Sequence, residues 1–144
     1  MKITMITRIY AVIGIAILGL CLSYSSIANE AEDKAMEAAK AWMELIDEGK
    51  YAESWQEAAV YFKNAMTKYK WEQVLTGVRK PLGKIVSRKL KAKISTKALP
   101  GAPDGDYLII QFTTSFENKR YGIETVIPML DKDGKWRVAG YYIQ

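Results

Sequence analysis

Histidine is missing from this 144-residue chain, and cysteine occurs once, at Cys21. These gaps exclude the commonest zinc sites, which draw on Cys and His ligands, and the nucleophiles that lean on a histidine base. They also remove the side chain that changes charge near neutral pH. No internal repeat and no low-complexity segment is present. The chemistry open to the chain therefore rests on carboxylates, lysines, arginines and tyrosines, within a formal net charge of +5.

The first residues read as an export signal. Lys2 and Arg8 precede an uncharged apolar run from Ile9 to Leu22, and Ser26 and Ala28 supply the small residues of a signal-peptidase site. This pattern predicts a leader over 1–28, cleaved after Ala28, and a single domain over 29–144 in the periplasm or outside the cell. The apolar run falls short of the ~20 residues of a spanning helix, so membrane attachment would come only through an uncleaved leader. Leu20 is bulkier than the small residue that a lipid-modified cysteine wants before it. Cleavage would remove Cys21, leaving a domain held by its hydrophobic core, which a chain of this size can bury. Trp42, Trp55, Trp71 and Trp136 supply large rings for it.

Charge is unevenly spread. Glu30 to Glu57 is acidic, whereas Lys63 to Lys97 is basic with Glu72 as its only carboxylate. Such a stripe suits phosphate, anionic lipid or an acidic protein, but a lysine-studded sheet edge that resists association is the simpler reading. Export argues against nucleic acid.

The hydrophobic period changes once along the domain. Ala35, Ala39, Trp42, Met43 and Ile46 recur at helical steps, and Gly49 ends that helix. A second helix from Tyr51 carries Trp55, Ala58, Ala59, Phe62 and Met66. Thr67 caps a third, whose apolar side is Trp71, Val74, Leu75 and Val78 before Pro81. Alternation then takes over from Ile85, with Val86, Arg88, Leu90, Ala92 and Ile94 on one strand face. Further strands are expected from about Asp106 to Phe116, Tyr121 to Leu130 and Lys135 to Ile143. Ile123, Ile127 and Met129 mark the apolar side of the third, and Pro128 belongs at a bulge or an edge. Short connections make this an antiparallel meander with one covered face. Asp131-Lys132-Asp133-Gly134 opens like a calcium loop, but the distal glutamate is absent and a hairpin turn fits it. The fold class is α+β: three helices packed on a curved antiparallel sheet of about four strands.

Several segments carry a family likeness: Asp47-Glu48-Gly49-Lys50-Tyr51-Ala52-Glu53-Ser54-Trp55, Val78-Arg79-Lys80-Pro81-Leu82-Gly83, Leu99-Pro100-Gly101-Ala102-Pro103-Asp104-Gly105 and Asp131-Lys132-Asp133-Gly134-Lys135-Trp136-Arg137-Val138. Over 31–144 the chain resembles the bacterial family called domain of unknown function 4019. At the level of fold it is similar to the cone of nuclear transport factor 2-like proteins. The first resemblance implies an envelope or secreted protein and brings no catalytic residues; the second spans enzymes and binding modules alike.

Arg88 is the residue that most needs a partner. On the covered face its guanidinium requires a carboxylate or an anionic ligand. Two readings stay open. Arg88 either pairs internally with Asp47, Glu53 or Glu57, or snorkels out at the sheet end, or it anchors an anion pocket with Tyr142 and Thr125 as polar contacts and Trp55 and Tyr61 as walls. An enzyme would need an inward carboxylate or tyrosine. Glu124, the only strand carboxylate considered, alternates with Ile123 and is expected to face outward, which leaves Glu53 or Glu57. The expected role is non-catalytic binding of a small anionic or amphipathic ligand or of an envelope protein, with no metal and no cofactor. A cofactor-free hydrolase or isomerase is one alternative. Another is a structural partner or homodimer acting through Lys89, Lys91, Gln111, Thr113, Arg137 and Tyr141 on the outer sheet face.

Overall fold

A computed structural model describes residues 27–144. The expected leader, except its last two positions, and Cys21 lie outside the described residues. The chain divides into two units at Asp33; of the first, residues 27–33 are described and are helical. Among the described residues no helix is long and apolar enough to cross a membrane.

In the second unit, helix α1 (residues 27–47 in all) buries Ala35, Ala39, Trp42, Met43 and Ile46, the stripe that its period predicts. Gly49 ends it with φ +74°, and the Lys50 N–H closes back onto the Leu45 carbonyl at 2.8 Å. The expected second helix is two: α2 (Tyr51–Gln56) and α3 (Val60–Ala65). The break at residues 57–59 has a cause in the sheet. The Ala59 N–H donates to the Val138 carbonyl at 2.8 Å, and the Val60 N–H points to the Asp131 carboxylate at 3.4 Å. Helix α4 (Lys68–Val78) starts at Thr67, whose hydroxyl accepts from the Lys70 N–H. A 3₁₀ turn over Lys80–Leu82 follows. Val78, expected on the apolar side of α4, is 53% exposed, and its neighbour Arg79 is buried instead.

Strands β1 (Ile85–Thr96), β2 (Tyr107–Phe116), β3 (Lys119–Leu130) and β4 (Trp136–Ile143) form one antiparallel sheet in the order β1-β2-β3-β4. The fold is thus α+β, helices followed by a four-stranded meander. Leu108, Ile110, Phe112, Val126, Val138 and Tyr141 meet the helical stripe in the main core. Indole, phenol and phenyl rings interlock there: Trp42 lies 5.9 Å from Trp71 and 5.5 Å from Tyr141, and Phe62 meets Trp71 edge-on at 4.9 Å. Fully burying one large apolar side chain contributes about 1.5–3 kcal/mol. Both buried indoles also find acceptors on Ser54, Trp42 at its carbonyl (2.7 Å) and Trp71 at its hydroxyl (3.0 Å).

Irregularities shift the faces of two strands. Pro128, in central strand β3, sits where β4 carries one extra residue, since Ile127 pairs with Gly140 and Pro128 with Val138, and a missing N–H does least harm there. In β1, shifts follow Ile85 and Leu90, so Arg88 and Leu90 stand opposite inward Thr114 and Phe112, whereas Ala92 and Ile94 stand opposite Gln111 and Ile109. The expected common face of Val86, Arg88, Leu90, Ala92 and Ile94 is therefore split. Val86, Leu90 and Ile94 remain 65%, 53% and 59% exposed, and among the described residues no β1 side chain joins the buried core clusters.

Two further expectations are corrected. Glu124 faces inward and is fully buried, in phase with Val126, while Ile123 and Ile127 face the other way. Tyr141, expected on the outer face, stands opposite Val126 and is buried as well. The outer face is partly covered too. Tyr107, Met129 and Ala59 form a second cluster with Tyr61, Leu99, Ala102, Ile127 and Ala139, which explains why apolar residues occupy both phases of β3.

Candidate functional site

A charged network closes one end of the inner face. Arg88 reaches it from β1, Glu124 from β3, Asp47 from the last residue of α1 and Arg79 from the end of α4. Arg88 grips both carboxylates. Its Nε and Nη2 donate to Glu124 at 2.7 and 3.1 Å, and its Nη1 and Nη2 donate to Asp47 at 2.7 and 2.9 Å. Arg79 Nη2 donates to Asp47 at 3.1 Å and Nη1 to the Gly83 carbonyl at 2.6 Å, with its guanidinium 4.9 Å from the Phe116 ring centre. Gly83 is required at that turn: its φ is +78°, and a Cβ there would lie 2.6 Å from the Glu117 carboxylate. Two cations thus balance two anions, and Asp47, which sits unfavourably at the negative end of a helix, is compensated by both arginines.

Glu124 is saturated. Besides Arg88, its oxygens accept from the Thr114 hydroxyl at 2.5 Å and the Tyr141 hydroxyl at 2.6 Å, so four hydrogen bonds fill the roughly four lone-pair positions of a carboxylate. Burial opposes the Arg88 charge, yet its hydrogen bonds to Asp47 and Glu124 outweigh that penalty and raise its pKa. The Tyr141 phenol is also pushed far up, first by burial and then by the adjacent Glu124 charge. It stays a neutral donor. Arg88 therefore has its partners inside the protein, Asp47 among the carboxylates the sequence offered and Glu124 in place of Glu53 or Glu57.

The other candidate residues lie elsewhere. Trp55 is half-buried, packs against the main core and donates its indole N–H to the Met66 carbonyl at 2.7 Å. Thr125 and Tyr142 stand opposite each other on the outer face, across the sheet from Arg88, and Gln111 donates to Thr125 at 3.4 Å. Tyr61 reaches the same outer side because α3 follows the chain's crossing of the β4 edge. Tyr61 and Tyr142 both line a cavity of about 210 Å³ with Leu99, Ala102, Tyr107 and Ile127. The 97–106 loop is fixed as its wall by two phenols: Tyr61 donates to the Gly101 carbonyl at 2.8 Å and Tyr107 to the Pro103 carbonyl at 2.6 Å. The structure thus brings Tyr61 and Tyr142 together, leaves Thr125 beside them, and separates all three from Arg88 and Trp55.

The sequence pattern turns Glu124 outward, which the structure reverses, and gives Arg79 no role. The signal for Glu124 was the unmet demand of Arg88, since a cation on the covered face requires inward acceptors. Arg79 gave none, because it sits at the end of α4 beside a valine that fits the apolar stripe better.

The hairpin Asp131-Lys132-Asp133-Gly134 is a tight turn. Arg137 donates to Asp131 at 3.0 Å and to Asp133 at 2.8 Å through both terminal nitrogens. Among the described residues no group of three or more acidic side chains is placed to hold a metal ion. Residues 38–141 match the model of the family described as "Protein of unknown function (DUF4019)", a stretch that contains the whole charged network. No curated protein matches the chain.

Proposed function

The chain belongs to the DUF4019 family, a membership that names no activity, and from its geometry we propose an exported, non-catalytic module that binds a small amphipathic ligand on the outer sheet face. The observation that carries this reading is the Tyr61–Tyr142 cavity. Its floor and walls are apolar, from Leu99, Ala102, Ile127 and Ala139, and two phenols border it. The Tyr142 hydroxyl makes no hydrogen bond among the described residues, and Tyr61 can still accept one while donating to Gly101. An apolar enclosure with a few polar groups is the usual make-up of a small-molecule site.

The charged network supports the same choice by subtraction. Arg88 spends four of its five N–H donors on Glu124 and Asp47, whose charges already balance it, and Glu124 has no lone pair left for acid–base work. The ligand is accordingly an apolar body with one hydrogen-bonding group. Export rests on the leader pattern of residues 1–28.

Titration with N-phenyl-1-naphthylamine, an uncharged amphipathic fluorophore, tests the reading. Saturable enhancement is expected, weakened about tenfold or more by Tyr142→Ala, equivalent to ~1.4 kcal/mol. Absence of saturable binding, or affinity indifferent to both Tyr142→Ala and Tyr61→Ala, would overturn it.

A further inference from the structure

A second, larger cavity lies where α1 meets the outer edge strand β4. It measures about 450 Å³, against about 210 Å³ for the outer-face cavity. One wall is the α1 stripe of Ala38, Ala41 and Leu45, spaced at three and four residues; the other is Trp136 and Val138 at the start of β4. Alanine on the helix leaves a gap that leucine or phenylalanine would fill, and the half-buried Trp136 ring presents apolar surface to it. The floor is apolar, formed by Trp42 and Val138, which are almost wholly buried.

Charge marks what the groove would take. Glu57, just past the end of α2, and Lys135, in the β3–β4 hairpin, both line it. Neither the Glu57 carboxylate nor the Lys135 ammonium makes a hydrogen bond or ion pair among the described residues, although Asp133 is near enough to Lys135 to feel its charge. Arg137 lines the groove too, but Asp131 and Asp133 hold its guanidinium, so it adds no free cation. An apolar slot bordered by one free anion and one free cation is complementary to a molecule that carries both charges around an apolar body.

We propose that this groove binds a zwitterionic amino acid or dipeptide with an apolar side chain, its ammonium toward Glu57, its carboxylate toward Lys135 and its side chain against Trp136. This site is independent of the outer-face cavity.

The test follows the indole N–H resonance of Trp136 while the dipeptide leucyl-phenylalanine is added. A saturable shift is expected within the millimolar range, up to about 10 mM. Glu57→Gln and Lys135→Gln each remove one exposed charge and should weaken binding about fivefold or more. N-acetylating the dipeptide should weaken it as much as Glu57→Gln does, and combining the two should add little. Tyr142→Ala should leave the titration unchanged, which separates this site from the outer-face reading. The proposal fails if no shift saturates, if the acetylated dipeptide binds as well as the free one, or if Tyr142→Ala abolishes the effect.

Discussion

Two ends of one covered sheet face are held by different physics. At one end Trp42, Trp71, Phe62 and Tyr141 interlock as rings; at the other Asp47, Arg79, Arg88 and Glu124 meet as charges. Tyr141 belongs to both, since its ring lies 5.5 Å from Trp42 and its hydroxyl bonds Glu124 at 2.6 Å. The difference lies in what failure looks like. Losing a ring leaves a cavity that neighbours partly refill. Losing one charge leaves others buried without partners, so at the ionic end α1, α4 and all four strands are tied together through groups that depend on one another.

The largest expected effect is at the ionic end. Glu124→Leu strands Arg88 Nε and the hydroxyls of Thr114 and Tyr141, and should lower the unfolding free energy in denaturant titration by about 3–5 kcal/mol. Pairing it with Arg88→Met should restore part of that loss, because apolar replacement of a whole buried pair is often neutral. If the two substitutions simply add, the charges are not acting as one unit. At the aromatic end, Trp71→Ala should cost about 3 kcal/mol or slightly more through the cavity it leaves.

Tyr141→Phe sharpens the contrast, since it keeps the ring and deletes one donor to Glu124; a loss of about 1–2 kcal/mol is expected, and no loss would mean that the hydroxyl is dispensable. The smallest effect is at the β3–β4 hairpin. Hydrogen bonds from Arg137 hold the Asp133 carboxyl at about 2, below its ordinary 3.8. A folded-state value below the unfolded one gives stability that is present above pH 3.8 and is lost as pH falls toward 2. Thermal unfolding of Asp133→Asn should therefore show a flatter slope than the parent across that window; an unchanged slope would remove Asp133 from the account.

The same contrast explains what could be read from the sequence. The α1 stripe from Ala35 to Ile46 and the turn-separated strands follow from one-dimensional period, and both stand in the structure as expected. Faces within β1, β3 and β4 do not: the shift after Leu90 resets the phase of β1, the extra residue at Ala139 resets that of β4, and the 97–106 loop and Tyr61 cover part of the outer face, leaving apolar residues on both sides of a regularly alternating β3. Helix α2–α3 reads as one element in period and is broken by a strand, through the Ala59–Val138 bond that only the tertiary fold supplies. The candidate residues were legible by type and not by grouping: Arg88 was flagged by its need for partners, whereas the sharing of one cavity by Tyr61 and Tyr142 depends on α3 passing the β4 edge.

Arg88→Leu, measured for both unfolding free energy and N-phenyl-1-naphthylamine affinity, tests the division of labour most directly. The account predicts a loss of stability of about 3 kcal/mol or more, with affinity in the folded variant close to that of the parent. A variant as stable as the parent that no longer binds the fluorophore would contradict it, and would return Arg88 to the ligand.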